Sequence, residues 1–203
     1  MGWVILAFSI VISALILFLF YFYRDPKRLI PGGNNIVAPA DGKIISIIDT
    51  SKNEVKIKKG LLGKIKTLTN DVAGECYVIS IFMSPFDVHI NRAPIAGTVK
   101  SIKHTKGSFF KAYDLEKSLR NEKNEIIIQN KTLRIKVIQI AGFLARRIKC
   151  YVKKKEKVNK GGKIGMIALS SQTTIVIPKV VGLKAKIGQR MKAGLTIIAD
   201  IKN

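Results

Sequence analysis

The chain holds only two histidines, His89 and His104, so each carries information. His89 lies in Met83-Ser84-Pro85-Phe86-Asp87-Val88-His89-Ile90-Asn91-Arg92-Ala93-Pro94, a run too dense in polar groups beside an apolar strand to be only a surface loop. Proton transfer is the chemistry a histidine there would offer. His104, close to Lys103 and Lys106, reads as a solvated surface residue. Ser170-Ser171-Gln172-Thr173-Thr174 follows the apolar run Ile164 to Leu169. Small hydroxyl residues between two strands ordinarily mark a turn or a strand edge. No GxSxG elbow surrounds the serines, so α/β-hydrolase chemistry is not supported. Asp41-Gly42 is a common turn pair. Arg92, Arg146 and Arg147 suit either bidentate phosphate contacts or structural ion pairs. No Cys/His cluster has zinc-like spacing, and neither GxxxxGK[ST] nor GxGxxG occurs. Neither a metal nor a nucleotide site is predicted.

These residues need a scaffold, and 203 residues give room for one domain of ordinary size. Lys plus Arg number 36 against 13 Asp plus Glu, a formal charge of +23, and 47% of residues are hydrophobic. That much apolar material excludes a disordered acidic chain. Two cysteines far apart, Cys76 and Cys150, exclude a small disulfide scaffold. The basic excess asks for an anionic partner, nucleic acid or an acidic membrane surface.

The N-terminal segment decides between them. Trp3 to Tyr23 carries no charge. As a helix it would span roughly 30 Å, the thickness of a bilayer core. No basic residue precedes the run and no small-residue cleavage site follows it, so an uncleaved transmembrane anchor over 1–23 is expected rather than a signal peptide. Arg24, Lys27 and Arg28 follow at once in a juxtamembrane linker over 24–35, and the positive-inside rule places the remainder on the cytoplasmic face of the cell membrane. A membrane partner is expected and no nucleic acid.

From residue 36 onward short Ile- and Val-rich runs recur between Gly, Pro and Asn punctuation. Strands are expected at Ile36–Ile48, Glu54–Lys58, Tyr77–Met83, Gly97–His104, Glu125–Ile128, Leu133–Ile140, Arg147–Val152, Lys163–Ala168, Thr173–Ile177 and Leu195–Ile201, with one short helix near Leu115–Lys123. The expected fold is mainly β, a β-rich α+β body of 36–203 with barrel-sandwich-like hairpins behind one transmembrane helix. Ile187 to Gly194 is similar to the closing hairpin of biotinyl and lipoyl carrier domains. Its Met191-Lys192 pair lacks the tight-tip setting that a carrier lysine needs.

In order along nearly the whole chain, six segments resemble the phosphatidylserine decarboxylases in their short, single-anchor form, archaetidylserine decarboxylases included. They are Arg24-Asp25-Pro26 with Pro31, Val37 to Ile44, Met83 to Pro94, Asn121 to Asn124, Gln139 to Ile148, and Gly165 to Pro178. The resemblance implies a zymogen that cuts itself between Ser170 and Ser171. The hydroxyl of Ser171 attacks the carbonyl of Ser170, and β-elimination leaves a β chain of 1–170 and an α chain of 171–203 capped by a covalent pyruvoyl group. That cofactor would form a Schiff base with the serine amine of a phospholipid in the membrane and take up the electrons released as CO2 departs. By the same resemblance His89 is base and proton donor and Asp41 orients or charges it, while Arg92, Arg146 and Arg147 are left to engage the phosphate, line the site or form structural ion pairs. The two cleaved chains stay together, and a homo-oligomer is compatible with the family.

Two departures stand out. The family usually has Gly before the processed serine and this chain has Ser170, whose Cβ restricts the backbone that strains the scissile bond. Long members carry a second histidine where this chain has Arg92, so His89 would serve both stages. The rival readings are a non-processing membrane protein that binds anionic lipid and, last, a carrier domain. Whether the lipid has ester or ether chains is not legible from a head-group reaction.

Overall fold

The apolar N-terminal run folds as α1 (Gly2–Phe22) in a computed structural model, which describes residues 2–51, 69–107, 121–142, 147–168 and 171–201. The run has no side-chain charge to hydrate, and its Ser9 hydroxyl is turned inward: Ser9 Oγ donates to the Ile5 carbonyl at 2.9 Å. The helix is long and apolar enough to cross a membrane, and only its last residue, Phe22, is buried against protein.

Fourteen strands follow among the described residues. They are β1 (Asn35–Val37), β2 (Gly42–Asp49), β3 (Cys76–Met83), β4 (Ile90–Arg92), β5 (Gly97–Thr105), β6 (Lys123–Gln129), β7 (Arg134–Ile140), β8 (Ile148–Cys150), β9 (Lys157–Val158), β10 (Lys163–Ile167), β11 (Ser171–Pro178), β12 (Gly182–Leu183), β13 (Arg190–Met191) and β14 (Ile197–Asp200). Eight of them make one sheet in the order β13-β2-β3-β11-β7-β6-β5-β9. Two three-stranded sheets, β1-β14-β12 and β4-β10-β8, accompany it. Every pairing is antiparallel. The chain is mainly β with one N-terminal apolar helix, as its alternating Ile/Val runs predict.

Ile44, Ile79, Ile81, Ile135, Ile175 and Ile198 meet in the main core, each at most 1% exposed. Fully burying a side chain of this size is worth about 1.5–3 kcal/mol. β11 is the middle of this arrangement: β3 flanks it on one side, β7 on the other, and all eight of its residues are buried.

Two expectations change. The run Ile36–Ile48 is two strands in different sheets, because Pro39 cannot donate to a ladder and the chain turns over Ala38–Asp41. The turn closes through Gly42 at φ 141°, where a Cβ would stand 2.1 Å from the Phe82 carbonyl oxygen, so only glycine fits. The last residue of the expected helix, Lys123, opens β6 instead; the rest of Leu115–Lys123 up to 120 lies outside the described residues, as does the expected strand Glu54–Lys58. The two-residue strands β9, β12 and β13 are too short to show alternation in a sequence.

Candidate active site

Ser171 is the first residue of β11. It pairs with Met83, the last residue of β3, and is fully buried. Its Oγ donates to Met83 Sδ at 3.5 Å, and the hydroxyl of Thr173 donates to the same sulfur at 3.4 Å. A thioether is a weak acceptor. The Ser171 hydroxyl is therefore dry and only loosely held. The neighbouring polar side chains are locked instead. Asn91 Nδ2 donates to Thr173 Oγ1 at 3.0 Å, Gln139 Nε2 donates to Asn91 Oδ1 at 2.8 Å, and Asn124 Nδ2 donates to Gln139 Oε1 at 2.9 Å. This buried chain ties β4, β6, β7 and β11 together at the serine end of the sheet.

Beyond Met83 the chain makes a tight turn. Asp87 Oδ2 accepts from the Ser84 amide at 2.8 Å and from its hydroxyl at 2.7 Å, and the Asp87 amide donates back to the Ser84 carbonyl at 3.0 Å. The turn brings His89 inward, where its carbonyl accepts from the Ile167 amide at 3.3 Å. The imidazole is fully buried, and among the described residues neither ring nitrogen has a hydrogen-bond partner. Burial pushes its pKa from 6.5 down to about 4; the Asp87 backbone and the carboxylates of Asp87 and Asp41 pull the other way without reversing it. His89 is a neutral base at pH 7.

The cover over that ring is the apolar helix α1. The Phe22 ring lies against it in a cluster with Val88, Ile90 and Met166. A latch holds the helix end in place: the exposed Phe86 carbonyl accepts from Arg24 Nη2 at 2.6 Å and from the Tyr21 hydroxyl at 3.2 Å, and the Arg24 guanidinium lies 3.6 Å over the Tyr21 ring. Such a cation–aromatic contact is worth about 0.5–1 kcal/mol at an exposed site.

Asp41 does not touch His89 through a hydrogen bond. Its Oδ2 accepts from Arg28 Nη2 at 2.8 Å and its Oδ1 from the Ala193 amide at 2.7 Å. It reaches the imidazole only through its field. The carrier-like hairpin thus serves to hold Asp41, and Lys192 at its turn is exposed. Arg92 is likewise committed, to Asp25 Oδ1 at 2.5 Å and to the Gly161 carbonyl at 2.9 Å. Arg147 is exposed just before β8. Ser170 and Arg146 lie outside the described residues.

Four residues of this site went unassigned in the sequence: Phe22, Asn91, Gln139 and Asn124. A signal existed for Gln139, an amide set between Ile138 and Ile140 in the run Val137–Ile140. None existed for Phe22, which reads as one more lipid-facing aromatic.

Comparison with known proteins bears on this geometry. The profile of the phosphatidylserine decarboxylase family matches residues 15–199. The chain is 45% identical over 193 residues to a Methanocaldococcus jannaschii protein that carries the provisional name archaetidylserine decarboxylase proenzyme, covering 95% of this chain and 94% of that one. It is 42% identical over 187 residues to a phosphatidylserine decarboxylase proenzyme of Chlorobium phaeobacteroides, covering 92% and 80%. A third relative, the phosphatidylserine decarboxylase proenzyme of Carboxydothermus hydrogenoformans, is 38% identical over 196 residues, covering 96% and 84%.

Proposed function

The chain belongs to the phosphatidylserine decarboxylase family, and from that premise we propose that it is a self-processing, pyruvoyl-dependent decarboxylase of a serine phospholipid. The products are CO2 and the ethanolamine lipid. One observation carries the reading most: Met83 pairs across the sheet with a buried, loosely held Ser171, and the segment that leaves Met83 carries a buried His89 whose ring nitrogens have no hydrogen-bond partner among the described residues.

In processing, the Ser171 Oγ attacks the carbonyl carbon of residue 170. The peptide C–N bond breaks, the proton passes to the freed amine, and an ester links the two residues. The dry setting keeps water from hydrolysing that ester early. Elimination removes the Cα proton of residue 171, releases the Ser170 carboxylate and leaves an enamine terminus. Water then displaces ammonia from it and a pyruvoyl cap remains. Neutral His89 is the base suited to accept protons here. The site fits such a cap: residue 171 is fully buried at a strand end and, among the described residues, its hydroxyl is bonded to no charged group. Once present, the cap supplies an electron sink for the pair left when CO2 departs. His89 would return to the carbon that lost CO2 the proton it takes from the substrate's ammonium group. Asp41 stabilises the protonated imidazole through space.

The anchor holds the body at the membrane, and Arg24, Lys27 and Arg28 at its end place it on the cytoplasmic face. Denaturing gels with intact-mass analysis of the full chain, beside Ser171→Ala, test the proposal. A pyruvoyl-blocked fragment of 33 residues in the wild type, absent in the variant, supports it. A single uncut chain in both overturns it in favour of a non-processing protein that binds anionic lipid.

A further inference from the structure

Most cations near the end of the anchor are already spoken for. Arg24 donates to the Tyr21 and Phe86 carbonyls, Arg28 is paired with Asp41, and Arg92 and Lys163 share Asp25. Of the cations that line the larger recess, Lys27, Arg28, Arg92 and Lys163, all but Lys27 are thereby engaged with a carboxylate among the described residues.

A second recess, of about 90 Å³, is different. Tyr23, Arg147, Lys149, Met166 and Ala168 line it. Among the described residues neither the Arg147 guanidinium nor the Lys149 ammonium has an acidic side chain within ion-pair distance. The recess is also continuous with the site. Lys149 pairs across the sheet with Met166, and Met166 pairs with Ile90, so the three form one rung and share a face. Met166 and Ile90 belong to the cluster with Phe22 that covers His89. Ala168 stands three residues before Ser171. Tyr23 follows the last residue of α1, the level at which a bilayer turns from hydrocarbon to head group.

Resting on the decarboxylase reading, we propose that Arg147 and Lys149 bind the phosphodiester of the lipid substrate in this recess, with Tyr23 on its membrane side. Two cations with no acidic partner among the described residues, beside an apolar floor, suit a group that is anionic on one side and joined to glycerol on the other. The contact places the serine end of the head group toward Ala168 and the cut, and the acyl or ether chains toward the anchor.

The test uses the full chain in neutral phosphatidylcholine vesicles doped with phosphatidylserine, with CO2 release measured against the surface fraction of substrate. Lys149→Gln and Arg147→Gln are each expected to raise KM about tenfold, with kcat within about twofold and self-cleavage unchanged. Lys27→Gln removes one charge from the same membrane exit and is expected to change nothing. Unchanged KM in both recess variants overturns the assignment. So does an equal rise in Lys27→Gln, which would mean attraction to the surface at large. Should the wild type release no CO2, the decarboxylase reading fails separately, and a second readout still judges the recess. A short-chain serine phospholipid is expected to protect Lys149 from acetylation more than Lys27, and equal modification of the two overturns the proposal.

Discussion

The rings of Phe22 and His89 lie 4.2 Å apart, centroid to centroid, with their planes inclined by 36°. The last residue of the apolar helix is thus the cover of the candidate base. Replacing it tests that relationship. Phe22→Ala opens the imidazole to water and raises its pKa from about 4 toward 6.5. The acid limb of self-processing should move up by one to two pH units, and Phe22→Leu, which keeps an apolar cover, should move it less. The His89 ring signal in an NMR titration of the protein in micelles reads the same shift. An unmoved limb with an unmoved titration would show that the helix does not set the basicity of His89.

The same burial makes stability depend on pH. The folded-state pKa of His89 is near 4 and its ordinary value is 6.5. Between those values the unfolded chain binds a proton that the folded chain refuses, so stability falls as pH drops from about 6.5 to about 4 and levels off below. Apparent Tm in detergent should therefore decline over that window in the wild type and decline less in His89→Gln. Parallel curves for the two proteins would remove His89 as the source.

Much of this was legible before any coordinates. Tyr77–Met83 reads as a strand from its apolar run and is one, with Cys76 added. Thr173–Ile177 reads as a strand too, yet β11 begins two residues earlier. Ser171 and Gln172 have little strand preference of their own; pairing with Met83 and Phe82 imposes it. His89 stands out because histidine is scarce and its surroundings are dense in polar groups. Its cover does not, because a contact between the N-terminal apolar helix and a loop far along the chain leaves no periodicity behind. Arg92 and Asp41 are conspicuous as charges, but their partners Asp25 and Arg28 sit in what reads as a plain linker.

That linker supports a prediction on stability. Arg28 and Asp41 form a pair whose side chains are 4% and 12% exposed. Breaking a buried pair from one side strands the other charge and costs about 3–5 kcal/mol. Arg28→Gln should lower Tm markedly while keeping the Asp41 carboxylate near His89. Asp41→Asn should slow processing beyond what its own loss of stability explains, because it also removes the field at the imidazole. In a double-mutant cycle the combined variant should recover part of the Tm loss. Strictly additive losses would mean that the pair does not stabilise the fold.

A backbone contact offers a further check. Gly165 in β10 lies so close to β7 and β8 that a Cβ there would stand 2.6 Å from Gln139 Nε2 and 2.6 Å from the Lys149 carbonyl oxygen. Gly165→Ala should cost about 1–3 kcal/mol by overpacking and disturb the amide chain from Asn124 to Thr173. Urea titration of the solubilised protein measures the cost. A variant as stable as the wild type, processing at the same rate, would show that the amide chain tolerates the shift.

The place of β11 has one more consequence. A scission just before Ser171 would release the fragment from its covalent tether yet leave it laced to β3 and β7 along both edges. The severed piece would be a keystone rather than a leaving peptide. Either part alone would leave ladder edges of β3, β7 or β11 without their partners, so each would depend on the other for its backbone hydrogen bonds.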